Sequence, residues 1–169
     1  HPPASADPRT VEADIAVRWG LGGWHDGRVE LLFEAGLTPV CSPALAARLG
    51  PAPTAAQLLA LPLVEIYSEQ HNWDIWFESA QLQYAARPAI VVDTLAVALE
   101  IALEGRGVAL VNGPYAEDDL AAGRLVQPVQ HQVTCPGAWG VICRQDAYAV
   151  ERVKAFMDWL GGLATPGSD

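Results

Sequence analysis

Ala89–Val111 reads A-I-V-V-D-T-L-A-V-A-L-E-I-A-L-E-G-R-G-V-A-L-V. Ala89 to Val92 is a short apolar run, the pattern of a buried strand, and Asp93-Thr94 ends it and opens a helix. From Leu95 to Glu104 the residues Val97, Ala98 and Ile101 recur at helical spacing. Gly105-Arg106-Gly107 caps that helix, and Val108 to Val111 is the next apolar run. Strand, helix and strand in this order make a crossover unit and point to an α/β fold.

Working outward, the same alternation continues. Ala13 to Trp19 begins as a strand and is closed by Gly20-Leu21-Gly22-Gly23. Val29 to Phe33 and Leu37 to Cys41 are two short strands around an Ala35-Gly36 turn. Ser42-Pro43 predicts an N-cap with proline at the first helical position, leading Ala44 to Leu49. A helix starts at Thr54 and stops at Pro62. Leu63 to Tyr67 reads as a strand, and Trp73 to Ala80 as a short helix with Trp73, Trp76 and Phe77 on one face. Tyr115 to Ala122 is helical and stopped by Gly123; Leu125–Val129 and Ala138–Cys143 are strands. The last helix, Ala149 to Leu160, puts Val150, Val153, Phe156, Met157 and Leu160 on one stripe and ends at Gly161-Gly162. Strands alternate with helices, and the crossovers are long enough for parallel pairing.

The chain has 169 residues, 51% of them apolar and 18% charged, with a net charge of −10. Such a chain buries enough surface to fold without disulfides or metal. Its charge argues against this stretch binding a phosphate backbone by itself, because non-specific DNA affinity comes mainly from Lys and Arg. Lys154 is the single lysine. No apolar run approaches the ~18 residues of a membrane span. His1-Pro2-Pro3-Ala4 has neither a basic nor an apolar leader region, so no secretory signal is visible. Cys41, Cys135 and Cys143 are odd in number and lack C-x-x-C spacing, which reads as reduced thiols in a cytoplasmic protein.

The motifs of catalysis are missing. There is no G-x-S-x-G, no Walker lysine and no H-E-x-x-H, and His25 occupies the third glycine position of the G-x-G-x-x-G pattern. His131 and Cys135 are four apart, but zinc wants four ligands and no second pair appears. Glu117-Asp118-Asp119 reads as a solvated helix flank. The expectation is a protein that is not an enzyme and carries no cofactor and no metal.

A binding site is better supported. Asp93-Thr94 sits where a strand meets a helix N-terminus, and the first-turn N–H groups with the Thr94 hydroxyl suit a carboxylate or phosphate-like oxygen. Simple capping by either side chain is the plainer alternative. Arg18 ends another strand beside Trp19, with Trp24 and His25 close behind. That pattern suits an anion walled by indoles, or equally a surface arginine beside core tryptophans. Trp139 lies inside an apolar strand, the context of a core residue as much as of a pocket wall.

These landmarks in this order resemble the effector-binding domain of LysR-type transcriptional regulators, in the subgroup of the glycine-cleavage activator and the β-lactamase regulator. The carrying segments include A-D-I-A-V-R-W-G (Ala13–Gly20), G-G-W-H-D (Gly22–Asp26), T-P-V-C-S-P-A-L-A (Thr38–Ala46), V-D-T-L-A-V-A-L-E (Val92–Glu100), A-A-G-R-L-V-Q-P (Ala121–Pro128) and A-F-M-D-W-L (Ala155–Leu160). The resemblance implies a fold like the type 2 periplasmic binding proteins, two α/β lobes joined by two crossover strands. Residues 1–39 with 137–169 would form a first, incomplete lobe and residues 40–136 the second. A small polar effector would lie between the lobes and touch Asp7, Thr94 and Trp139, with Arg18, Trp19 and Trp24 beside it. The winged helix-turn-helix that reads DNA is not in this stretch, and about forty residues of the usual effector domain are missing from its start. The full-length regulator would be a homo-oligomer, and the fragment a monomer. A free-standing solute-binding protein of the same fold is the alternative; an upstream helix-turn-helix or an export signal would decide between them.

Overall fold

A computed structural model describes residues 14–20, 27–67, 72–85 and 88–164. In chain order these carry β1 (Ile15–Gly20), β2 (Gly27–Val40), α1 (Pro43–Ala46), β3 (Val64–Ile66), α2 (Asn72–Ser79), β4 (Ile90–Val92), α3 (Leu95–Leu103), β5 (Ala109–Asn112), α4 (Glu117–Ala121), β6 (Val133–Arg144), α5 (Gln145–Tyr148) and α6 (Glu151–Ala164). Short 3₁₀ turns at Ala47–Leu49, Ala55–Ala60 and Pro114–Ala116 replace parts of the expected α-helices. The chain divides into two compact units, one of His1–Ala35 with Cys135–Asp169 and one of Gly36–Thr134. β2 and β6 run through the two boundaries.

In the first unit β1 pairs antiparallel with β6, from Ile15 opposite Cys143 to Gly20 opposite Ala138. Val141, Cys143, Ala147, Val153 and Met157 form its core, with Ile15, Leu32, Val150 and Leu160 packed against them. Gly27 of β2 passes so close to β6 that a Cβ there would run into the Cys143 carbonyl. The expected apolar stripe of α6 divides: Val153 and Met157 are buried, whereas Phe156 is exposed and stacks its ring near Trp159. Gly161-Gly162 does not end the helix, which continues to Ala164. Neither glycine takes a positive φ, so nothing there unwinds the backbone, and glycine merely lowers helix propensity.

The second unit is built on parallel strands. β3 pairs with β4, Val64 opposite Ile90 and Ile66 opposite Val92. On its other side β3 meets the start of β5 through a parallel bridge, Leu63 with Val108. β5 then pairs antiparallel with the end of β2, Leu37 opposite Asn112. Among the described residues parallel pairing is thus confined to this unit. The chain passes out along β2 and returns along β6, which makes its long strands antiparallel. Ala35-Gly36 is not a turn: β2 runs straight through it, because neither residue forces a reversal and Gly36 keeps a negative φ. Leu125–Val129 is not a strand either. Only Val126 bridges, to Cys41, since Pro128 has no N–H to extend a ladder.

α3 packs on β3–β5 through Ala98 and Ala102, four apart and nearly inaccessible. Small side chains there bring the helix close to the sheet. Val97, expected on that face, is 48% exposed. α2 buries Trp73, Trp76 and Phe77 as its spacing predicts. Both indoles find acceptors: Trp73 Nε1 donates to the Val64 carbonyl at 2.8 Å and Trp76 Nε1 to the His131 carbonyl at 3.2 Å.

Two sequence motifs meet at the far end of α3. The Ser42 hydroxyl caps α1 by accepting from Leu45 N at 3.2 Å, and Ser42 N donates to the Ala102 carbonyl at 3.1 Å. Gly105 turns the chain with φ +72°, and a Cβ on it would lie 2.9 Å from Ser42 Oγ. Gly123, at φ +69°, has open space around it. Gly123→Ala is therefore expected to cost about 1–2 kcal/mol, the left-handed penalty alone. Gly105→Ala will cost more, and Ser42→Ala in the same chain will recover part of the difference. Urea unfolding of the three variants beside the parent chain measures this; equal costs for the two glycines would refute the close contact.

Candidate functional site

Because β4, β3 and β5 are parallel, their carboxyl ends gather at one edge of the second unit. Parallel sheets bind ligands at that edge. The structure puts Tyr67, 68% exposed, just past β3. Asp93 and Thr94 follow β4, both exposed, and Asn112 closes β5.

Thr94 is the N-cap of α3, with extended backbone (φ −138°, ψ 154°). Its Oγ1 accepts from Val97 N at 3.4 Å, a long bond. The hydroxyl proton is left to donate outward, beside first-turn N–H groups carrying the positive end of the helix dipole. Both readings of Thr94, capping and anion holding, are therefore geometrically compatible. The Asn112 Oδ1 atom is buried and has no hydrogen-bond partner. Sequence reasoning missed this residue; its signal was a lone polar side chain ending an apolar strand before Gly113-Pro114.

The first unit holds the other candidates. On β1, Arg18 stands opposite Gly140 and Trp19 opposite Trp139. Strand alternation then sets the Arg18 and Trp139 side chains on opposite faces of the β1–β6 pair. The Trp139 ring centroid is 6.2 Å from that of Phe33, and its Nε1 is buried without an acceptor. Asp7 and Trp24 lie outside the described residues.

His131 is engaged as a packing residue. Its Nε2 is 2.8 Å from Ser79 Oγ, and its ring meets Trp76 edge to face at 5.2 Å. Among the described residues no group of three or more His, Cys, Asp or Glu could hold a metal ion. Asp119 of the acidic run takes Arg124 at 2.6 Å. Cys41 and Cys143 are free and buried. Among the described residues no helix is long and apolar enough to cross a membrane.

Residues 9–164 match the LysR substrate binding domain family, and the chain belongs to it. It is 29% identical over 155 residues to the glycine cleavage system transcriptional activator of Escherichia coli, covering 91% of this chain and 50% of that protein. The effector domain of the transcriptional regulator AmpR of Pseudomonas aeruginosa superposes with a TM-score of 0.75 at 34% identity, covering 89% of this chain and 71% of that one. The AmpR effector binding domain from Citrobacter freundii gives 0.76 at 29% identity, covering 94% and 78%. The fold is accordingly that of LysR effector domains, the type 2 periplasmic-binding-protein-like fold. The chain spans about half the length of the curated relatives it matches.

Burial pushes the Cys41 thiol up to about 11 from an ordinary 9.0. The folded chain keeps this proton where the unfolded chain releases it. The stability it contributes is therefore whole below about pH 9 and is lost as pH rises toward about 11. Urea midpoints at about pH 8 and about pH 10.5 should fall less for Cys41→Ala than for the parent chain; identical falls would show that the thiol does not contribute.

Proposed function

We propose that this chain is the effector-sensing part of a LysR-type transcriptional regulator. A small polar, anionic metabolite is bound, no bond is made or broken, and the ligand's unequal affinity for two arrangements shifts the population presented to a DNA-binding part elsewhere in the protein. The carrying observation is an exposed Thr94 capping α3 at the carboxyl edge of a parallel sheet, in a chain of this family. The relatives named above are transcriptional regulators, which supports a binding role over a catalytic one. In this reading the whole regulator is a cytoplasmic homo-oligomer, and DNA is contacted only by the part outside this stretch. The acidic balance supports that division.

Thr94 is the principal contact of the second unit, donating its hydroxyl proton to the anion. Trp139 is the first unit's candidate, because its buried indole N–H lacks an acceptor. Asp7, Trp19 and Trp24 join it by the resemblance, and Arg18 as a flanking cation from the other strand face.

A thermal-shift screen of small amino acids and cell-wall fragments is expected to find a compound that raises the melting temperature. Calorimetry with that compound should show Thr94→Val weakening binding a few-fold to tenfold, about 1 kcal/mol for one lost hydrogen bond, with Thr94→Ser retaining it. Unchanged affinity in Thr94→Val would remove this residue from the site, and a screen without any stabilising compound would count against the sensor reading.

A further inference from the structure

In the second unit the chain forms β3, places β4 on one side of it, then crosses through α3 to place β5 on the other. The direction of winding reverses between β3 and β5. At such a reversal the connections leave the two strands on opposite sides, and a crevice opens beyond their carboxyl ends.

The backbone pairing between these strands stops short of that edge. Val108 N donates to the Pro62 carbonyl at 2.8 Å, and Val64 N to the Val108 carbonyl at 2.9 Å. The next acceptor along β3, the Val64 carbonyl, is taken by the Trp73 indole. Past that point lies a small pocket of about 10 Å³, lined by Val64, Glu65, Ile66 and Leu110 with Asn72 and Trp73. Asn112 closes β5 on the same side, and Gly113, at φ +100°, turns the chain away beyond it.

The Asn112 Oδ1 atom is fully buried yet accepts nothing. A buried acceptor without a donor is costly, and folded proteins keep few of them. We propose that Asn112 is a ligand-reading residue whose side-chain oxygen accepts a hydrogen bond from an N–H group of the effector. This rests on the sensor reading above, in which the effector's acidic end sits at Thr94. β4 and β5 are two strand spacings apart, about 10 Å. The ligand class is thus an acid carrying an N–H donor about 10 Å from its anionic group. An α-amino acid, whose amine and carboxylate share one carbon, cannot reach both.

Two probes of matched length test the assignment by calorimetry on the whole chain: 8-aminooctanoate, and octanoate, which lacks the amine. The parent chain is expected to bind the amino acid about fivefold or more tighter than the plain acid. Asn112→Leu, close to isosteric, should bring the two acids to equal affinity, while Thr94→Val weakens both alike. Without ligand, Asn112→Leu should hold or raise the melting temperature, because it removes an unpaired acceptor; a lower melting temperature would make Asn112 a structural residue and overturn the proposal. Equal binding of both acids by the parent chain overturns the Asn112 assignment and leaves the sensor reading standing. Absence of binding by either acid overturns the Asn112 assignment with its ligand class, and the sensor reading is then decided by the thermal-shift screen alone.

Discussion

Two backbone hydrogen bonds around Val108, one to the Pro62 carbonyl and one from Val64 N, decide how the second unit is built. They dock the strand that follows α3 against β3 and so place β5 on the far side from β4. The approach is close. A Cβ on Gly107 would lie 2.6 Å from a Val64 methyl and 3.1 Å from the Pro62 carbonyl oxygen, so the residue before Val108 has no room for a side chain. Gly105, two residues earlier, is restricted to glycine by the nearness of the Ser42 hydroxyl and by its own left-handed backbone. The Gly-Arg-Gly turn thereby sets both the helix end and the strand docking, and the edge carrying Thr94 and Asn112 follows from it.

The Ala89–Val111 unit was legible because each level agreed: an apolar run, a capping residue, helical spacing, a glycine stop and a second run. The Ser42-Pro43 cap and the aromatic face of α2 were legible for the same reason. What failed has physical causes. Periodicity marks a helix as amphipathic, but α3 is apolar nearly all round, so only packing could choose Ala98 and Ala102 over Val97 as the inner contacts. Glycine was overread as punctuation at Ala35-Gly36 and Gly161-Gly162, where the backbone stays extended or helical. Thr94 was visible from its strand-to-helix setting. Asn112 was not, because an unpaired buried oxygen is a property of surroundings assembled from distant segments.

The register of β1 on β6 separates two of the candidate residues of the first unit. The sequence pattern sets Arg18 beside Trp19 and Trp24, and Trp139 enters only through the resemblance; Arg18 stands opposite Gly140, while Trp139 lies one residue along, on the reverse face. An aromatic wall on the Trp139 side therefore cannot include the Arg18 guanidinium without a detour around the strand edge. In the proposed site Arg18 therefore only flanks, and the direct contacts to the anion are neutral donors, the Thr94 hydroxyl and the first-turn N–H groups of α3. Such donors bind an anion without the desolvation cost of burying a lysine or arginine. This suits a chain with ten bases to twenty acids.

Among the described residues three buried side-chain atoms lack any hydrogen-bond partner: Tyr84 Oη, Asn112 Oδ1 and Trp139 Nε1. Tyr84 stacks on Phe77 at 5.1 Å, and burial together with Glu65 and Asp74 holds its hydroxyl in the protonated form. Its ring therefore has a packing role that compensates for the idle hydroxyl. Asn112 has no such compensation, since its side chain offers little apolar surface. Selection for stability alone would favour an apolar residue there. A polar atom left unpaired in the free molecule is instead useful to a sensor, because the cost of its burial is recovered only when a complementary ligand arrives. Ligands lacking the matching donor leave that cost in place and are discriminated against by more than the hydrogen bond alone.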